Sequence, residues 1–186
     1  MRKKKGEYGY LKTRRASSLI KALASLGFVV LLVVTGRFLL PAHKGIFNVC
    51  AVISAIPLAM AVVSFVMSLR FSSVPEEVFL ETQKAKGRAL MLYDCALTTR
   101  DRGYSVGALA ILGKNLLALS PEKDGAEEIT KHLEYMTKKS GFTGWGIKTH
   151  TSLSSFVSRL NELSEKDIKP VKEDETMRDF LLEIIL

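Results

Sequence analysis

Two long apolar runs dominate the pattern of hydrophobic and polar positions along this chain. The first spans residues 19–40 and the second residues 46–69, and the short polar stretch 41–45 separates them. Each run matches the ~20 residues that a helix needs to cross the ~30 Å hydrocarbon core of a bilayer. We therefore predict a hairpin of two transmembrane helices, which would leave both ends of the chain on the same side of the membrane.

A cleavable signal peptide is the main alternative for the first run, because its charge-free part covers only Ala22 to Gly36 and a basic leader precedes it. Leu40-Pro41-Ala42 is a poor cleavage site, and a second apolar run follows at once. These features favour an anchor. Pro57 lies inside the second run, where we expect a tolerated kink rather than a transport path, since the run contains no Asp, Glu, His, Lys or Arg.

Small residues recur in both runs and predict close helix packing. Small side chains let helix backbones approach each other, whereas lipid offers no hydrophobic driving force for helix association. The sequence leaves open whether they pack the hairpin on itself or mediate homodimerisation. These residues are Ala24 and Gly27 in the first run and Ala51, Ala55 and Ala59 in the second.

The periodicity changes after residue 72, and shorter elements follow. The order α-β-β-β-α-β-α predicts a small α/β domain with helices packed on a mixed sheet. We expect a leader at 1–18, the hairpin at 19–69, the α/β domain at 73–165, and a charged linker with an amphipathic C-terminal helix at 166–186. The first predicted elements are a helix from Ser73 to about Lys86, a strand at 88–99 (with a continued helix as the alternative), and a β-hairpin at 104–120 that turns at Gly113-Lys114-Asn115. A helix from Ser120 to Gly141 follows, with Asp124 and Glu127 near its start, and then a strand at 144–150. The last elements are a helix from Thr151 or Ser152 and a tail helix from Thr176 to Leu186.

The net charge of +8 is concentrated at one end of the chain. Residues 1–44 hold ten Lys or Arg side chains and one Glu, whereas residues 45–186 hold 17 basic and 18 acidic side chains. A nucleic-acid partner is not expected, since the basic excess is not on the folded domain. The positive-inside rule predicts cytoplasmic N- and C-termini in a cell (inner or plasma) membrane. The basic residues expected at the membrane interface are Arg2, Lys3, Lys4, Lys5, Lys12, Arg14, Arg15 and Lys21.

Known chemical motifs are not found in the sequence. Cys50 and Cys95 fall in different parts of the chain, so we expect no disulfide, and the histidines do not stand at metal-ligand spacing. No phosphate-binding glycine pattern or nucleophile elbow is present. We therefore expect no catalytic site, cofactor or metal.

The order α-β-β-β-α-β over residues 75–150 resembles the core of restriction-endonuclease-like nucleases. That resemblance implies an Asp on the second strand and a Glu-x-Lys on the third, which together hold a metal. The corresponding hairpin, Val106 to Leu119, contains no acidic residue. Asp94, Asp101 and His150 are the candidates for such chemistry, and the resemblance points to a decayed or binding-only relative.

Two apolar features of the soluble part are candidates for partner binding. Phe142 and Trp145 lie in a glycine-rich loop, and the tail carries Phe180, Leu181, Ile184 and Ile185. The tail could dock on its own sheet, enter a partner's groove or lie on the membrane. We predict a membrane-anchored interaction module that binds a protein partner or self-associates. The alternatives are a small subunit of a membrane transport complex and a membrane-tethered, nuclease-like domain that has lost activity.

Overall fold

The computed structural model describes residues 3–39, 44–98, 102–121, 125–166 and 168–185. They divide into two compact units: one combines the residues up to Leu11 with those from Phe71 onward, and the other is Lys12–Arg70. The elements in chain order are α1 (Tyr10–Val34), a π-helical turn (Thr35–Leu39), α2 (Lys44–Leu69), α3 (Glu76–Ala85), β1 (Leu90–Thr98), β2 (Gly103–Leu112), β3 (Asn115–Leu119), α4 (Ala126–Lys139), β4 (Gly146–His150), α5 (Leu153–Glu165) and α6 (Lys172–Ile184).

The unit Lys12–Arg70 consists of the two predicted apolar helices and the π-helical turn. Both helices are long and apolar enough to cross a membrane, and α2 continues through Pro57. Their large side chains face outward: Phe28 is 54 % exposed and Met60 70 %. Among the described residues of this unit, the buried ones are all small, namely Ser18, Ala22, Gly36, Ala51 and Ser68.

The close approach within this unit is between the π-helical turn and α2. Of the predicted packing residues, Ala51 is buried, whereas Ala24, Ala55 and Ala59 are exposed. A Cβ on Gly36 would come within 2.5 Å of the Phe47 Cβ, so only glycine fits beside that ring. Arg15 donates from Nε to the Ser68 carbonyl oxygen at 3.2 Å. Gly27, by contrast, has no atom within 4 Å of its Cβ position, so this predicted packing residue does not contact the other helix. Of the predicted turn 41–45, residues 41–43 lie outside the described part of the chain, and α2 already begins at Lys44.

The other unit is built on a mixed sheet, as the sequence predicted, and its four strands lie in the order β1-β2-β3-β4, which the sequence did not specify. β1 pairs antiparallel with β2, β2 antiparallel with β3, and β3 parallel with β4. Residues 90–98 form a strand rather than a continued helix. The β2–β3 turn uses Gly113 and Lys114, whose φ angles of 55° and 63° match the tight turns that the twist of a hairpin favours.

Alternating residues of the central strands bury both faces of this sheet. Leu109 and Ile111 of β2 face a core that includes Ile129 and Leu133 of α4 and Met177 and Leu181 of α6. The neighbouring positions Ala108, Ala110 and Leu112 face the core that contains Phe156 and Leu160 of α5, with Val78 and Phe79 of α3 packed against it. The side-chain period of two along a strand therefore yields three layers, with α4 and α6 on one face and α3 and α5 on the other.

The N-terminal segment 3–11 is part of this domain. The Tyr93 amide on β1 donates to the Gly6 carbonyl oxygen at 2.8 Å, and the Tyr8 ring stacks on Phe79 with 4.3 Å between centroids. Lys5 donates from Nζ to the Ile185 carbonyl oxygen at the end of α6, at 3.0 Å. The residues up to Leu11 thus belong to the α/β domain, and α1 begins at Tyr10, inside the predicted leader 1–18.

Asp94 on β1 fixes the chain segments on either side of the helical hairpin. Its carboxylate accepts from the Val74 amide at 2.8 Å, from the Ser73 hydroxyl at 2.8 and 2.9 Å, and from the Leu11 amide at 3.4 Å. Asp94 is 1 % exposed and has a φ of 52°. Ser73, predicted to cap α3, binds Asp94 instead, and α3 begins after Pro75 without a side-chain cap.

Helix α6 begins at Lys172, four residues before the predicted start at Thr176. The reason is Asp174, which is 1 % exposed and accepts from the Gly113 and Lys114 amides at 2.8 and 3.1 Å and from the Val171 amide at 3.0 Å. This carboxylate satisfies amides of both the helix start and the β2–β3 turn. It therefore extends the helix into the predicted linker and attaches it to the sheet.

Candidate functional site

Three aromatic side chains form a half-buried cluster between α4, β4 and α6. Phe142 and Trp145 meet edge to face, with ring centroids 6.2 Å apart and planes at 89°. Phe142 also contacts Phe180 of α6, with centroids 5.4 Å apart. The structure thus brings together three of the predicted partner-binding residues, which the sequence places in two separate segments.

The loop that carries Phe142 and Trp145 is shaped by two glycines. At the end of α4 the Gly141 amide donates to the Lys138 carbonyl oxygen at 3.1 Å, and the Phe142 amide donates to the Thr137 carbonyl oxygen at 3.0 Å. Gly141 has a φ of 84° and Gly144 one of 78°, a region that other residues rarely adopt. The two glycines turn the chain sharply, so that both rings lie at the same end of α4.

A cleft of about 310 Å³ lies beside these rings. Its walls come from Glu134, Thr137 and Lys138 of α4, from the loop, and from Ile147 of β4. A second cleft of about 340 Å³ follows along the same helix and strand, with Thr130 on one side and Thr149 on the other. Glu134 borders both clefts, so together they form a groove along α4 and β4.

β4, which forms one wall of this groove, is an edge strand. It pairs only with β3 in the described part of the chain. The Gly146 amide donates to the Lys114 carbonyl oxygen at 2.9 Å, and the His150 carbonyl oxygen accepts from the Ser120 amide at 2.9 Å. Residues 146 and 150 thus direct their backbone groups toward β3, and so does residue 148 between them, because alternate residues of a strand point the same way.

Comparisons with known proteins do not assign a family. No protein-family model, no curated protein and no solved structure matches this chain. The functional interpretation therefore depends on the groove and on the surrounding domain.

The remaining partner-binding candidates lie mostly in the core. Leu181 is fully buried and Ile185 is 2 % exposed, and both pack with Met177 against the sheet. Ile184 is half-buried against the same core. The tail therefore docks on its own sheet, the first of the three alternatives that the sequence left open.

His150, at the end of β4, is buried between the sheet and α5. Its Nδ1 lies 3.2 Å from the Ser155 hydroxyl, and its ring meets Phe156 edge to face. Its Nε2 is buried without a hydrogen-bond partner among the described residues. Burial lowers the pKa of His150, and the nearby charges of Lys148 and Arg159 lower it further, so the ring is neutral at pH 7.

The candidates for nuclease-like chemistry are not assembled into one site. Asp94 lies on β1 and His150 on β4, which are opposite edges of the sheet and are separated by three strand spacings, or roughly 14 Å. The Asp94 oxygens already accept hydrogen bonds from Ser73, Val74 and Leu11. Asp101 lies outside the described residues, as does Asp124. Within the described ranges no group of three His, Cys, Asp or Glu side chains could hold a metal ion.

The cysteines and the basic candidates occupy different surroundings. Cys95 is fully buried, and burial raises the pKa of its thiol, whereas Cys50 is exposed on α2. Lys3 donates from Nζ to the Tyr8 carbonyl oxygen, and Lys5 contacts α6 as described above. The other described basic candidates are exposed or half-buried, namely Lys4, Lys12, Arg14, Arg15 and Lys21. Arg2 lies outside the described residues.

Sequence reasoning missed two functional features of the domain. The docking of segment 3–11 had a signal in Tyr8 and Tyr10, aromatic residues within an otherwise basic leader. The groove along α4 and β4 had none, because it depends on which strand lies at the edge of the sheet.

Proposed function

We propose that this chain is a two-pass membrane protein whose α/β domain lies in the cytoplasm and holds a protein partner in the groove between α4 and β4. The half-exposed aromatic cluster next to that groove carries the proposal. Aromatic side chains such as Phe142 and Trp145 are enriched at binding surfaces, because they offer a large apolar area with few rotatable bonds.

The membrane part of the proposal is supported by the exposure of large apolar side chains on α1 and α2. Between residues 19 and 69 the most exposed of these side chains is Phe38, at 78 %. Exposure of so much apolar surface is unfavourable in water but not in lipid. The small buried residues of this unit fit helix association in lipid, where close backbone approach replaces the hydrophobic effect.

The topology is supported by the place of segment 3–11. This segment contacts β1, α3 and α6, so the residues before α1 and those after α2 belong to one folded domain. Two membrane crossings satisfy that connection, whereas a single crossing would separate the two parts. The basic residues that follow Leu11 in the chain, Lys12, Arg14, Arg15 and Lys21, favour the cytoplasmic side.

Cysteine labelling in intact cells tests the topology. In a chain with Cys50→Ala and Cys95→Ala, we would introduce Gly45→Cys near the turn or Ser154→Cys on the exposed start of α5. A membrane-impermeant maleimide should label the first variant in intact cells and the second only after permeabilisation. Labelling of Ser154→Cys from outside would contradict the proposal.

Site-specific photocrosslinking in native membranes tests the partner site. A photoreactive phenylalanine analogue at position 145 should give a discrete protein adduct. The same analogue at position 135 is the matched control, since Tyr135 is 61 % exposed on α4. Equal adducts from both positions, or none from position 145, would contradict partner binding in this groove.

A further inference from the structure

The open edge of β4 offers unpaired backbone groups beside the groove. Gly146 and His150 direct their amide and carbonyl groups toward β3, so the alternate residues Ile147 and Thr149 direct theirs away from the sheet. No strand lies beyond them among the residues that the structure describes. An edge with free donors and acceptors is the surface that an added strand recognises.

We propose that β4 binds an extended segment of another protein as a fifth strand, with apolar residues alternating with acidic ones. This inference rests on the proposed function and specifies its partner. Hydrogen bonds to Ile147 and Thr149 would hold the backbone of the added strand. The side-chain pattern of the partner follows from the two faces of β4.

One face of β4 selects apolar side chains. Ile147 and Thr149 point toward α4, where Thr149 accepts from Thr130 at 2.7 Å and Ile147 lines the cleft beside Trp145. Partner residues opposite these two would share their face, because facing residues of adjacent strands lie on the same side of a sheet. Apolar side chains at those positions would enter the groove next to Phe142 and Trp145.

The opposite face of β4 selects acidic side chains. Lys148 is exposed, and because alternate residues of a strand point the same way, its side chain leaves β4 on the face where His150 contacts Ser155 of α5. It also borders the second cleft beside Thr149. Arg159 of α5, which pairs with Glu162, is near enough that its charge and that of Lys148 both act on His150. A carboxylate on the partner residue opposite Lys148 would gain a favourable cross-strand ion pair. The partner therefore alternates apolar and acidic residues with the period of a strand.

The same lysine argues against a second copy of this chain as the occupant. Two β4 strands could pair antiparallel about a two-fold axis at residue 148, with Ile147 opposite Thr149. That arrangement would place Lys148 directly opposite its own copy, in a pair whose Cα atoms approach to about 4.5 Å. Like charges directly opposite one another are destabilising, and an edge lysine is a common device against self-pairing.

A peptide-binding experiment on the full chain in detergent tests this inference. The probe is a fluorescently labelled seven-residue peptide that alternates valine and glutamate, and its controls replace glutamate by lysine or methylate the backbone nitrogens on one edge. We expect the acidic peptide to bind at least about tenfold more tightly than the lysine peptide. Methylation of the edge that faces β4 should abolish binding, whereas methylation of the other edge should preserve it.

Variants of β4 provide the second part of the test. Ile147→Pro removes an outward amide, a position where an edge strand tolerates proline, and should weaken binding at least about tenfold. Lys148→Ala should weaken it about threefold, the scale of one cross-strand ion pair. Methylated peptides act on the unaltered chain, so they decide the question even if Ile147→Pro does not fold.

Three results would overturn the inference: no binding of the acidic peptide, equal binding of both methylated peptides, or pairing of two unaltered chains through β4 that Ile147→Pro abolishes. If crosslinking from position 145 still captures a partner while the peptide test fails, the proposed function stands and only the fifth strand is wrong. If both fail, the proposed groove itself is wrong.

Discussion

Replacing Asp94 should loosen both segments that flank the helical hairpin. In Asp94→Ala the Leu11 and Val74 amides lose their acceptor, and both residues are buried, at 2 % and 3 % exposure. An unsatisfied buried donor costs about 1–3 kcal/mol. The Leu11 bond is long at 3.4 Å and the Ser73 hydroxyl can turn to water, so we expect a loss of about 3 kcal/mol.

The backbone at position 94 adds a second effect that can be separated from the first. Its φ of 52° suits Asp, Asn or Gly better than Ala. Asp94→Gly loses the same hydrogen bonds without this strain, so it should be about 1 kcal/mol more stable than Asp94→Ala despite the flexibility of glycine. Asp94→Asn keeps one side-chain acceptor and tolerates the same φ, so it should lose the least stability of the three variants.

Equilibrium urea unfolding of the full chain in detergent measures these losses. The single tryptophan, Trp145, lies in the α/β domain and reports its unfolding by fluorescence. Asp179→Ala is the matched control, because its side chain is 65 % exposed and paired with the adjacent Arg178, and we expect a change below about 0.5 kcal/mol. The account of Asp94 would be refuted if Asp94→Ala unfolded within about 0.5 kcal/mol of the original chain.

Two further predictions follow from buried polar groups. The pKa of His150 is lower in the folded than in the unfolded chain, so the contribution of His150 to stability should be full above pH 6.5 and fall as the pH drops below it. In urea unfolding at pH 7.5 and 5.5, His150→Gln should reduce this pH dependence of stability. An equal pH dependence in both chains would contradict the prediction. Asp174→Ala leaves the Gly113, Lys114 and Val171 amides without their acceptor and should cost about 2–3 kcal/mol of stability in the same assay. The control Lys114→Ala breaks only a surface ion pair with Glu173 and should cost less than about 1 kcal/mol. Equal losses would show that the Asp174 carboxylate does not hold α6.

Local pattern was sufficient for most elements of this protein. The two apolar helices were evident from their length, because about 20 apolar residues in a row admit few other structures. The β-hairpin was evident from Gly113-Lys114 between two apolar strands, and Ser152 caps α5 as predicted, accepting from the Ser155 amide at 3.3 Å. Each of these features depends on residues that are neighbours in the chain.

Tertiary structure decided what residues far apart in the chain do together. The Leu11 amide reaches Asp94 across 83 positions, and Asp174 reaches the β2–β3 turn across 61, so no local pattern could place the leader in the domain or start α6 at Lys172. The groove likewise required the strand order that leaves β4 at the edge and the packing that brings Phe180 to Phe142. The sequence by itself determined which segments are apolar and how each one folds locally. Burial of Asp94 and Asp174, with the hydrogen bonds that burial demands, determined how those segments are joined.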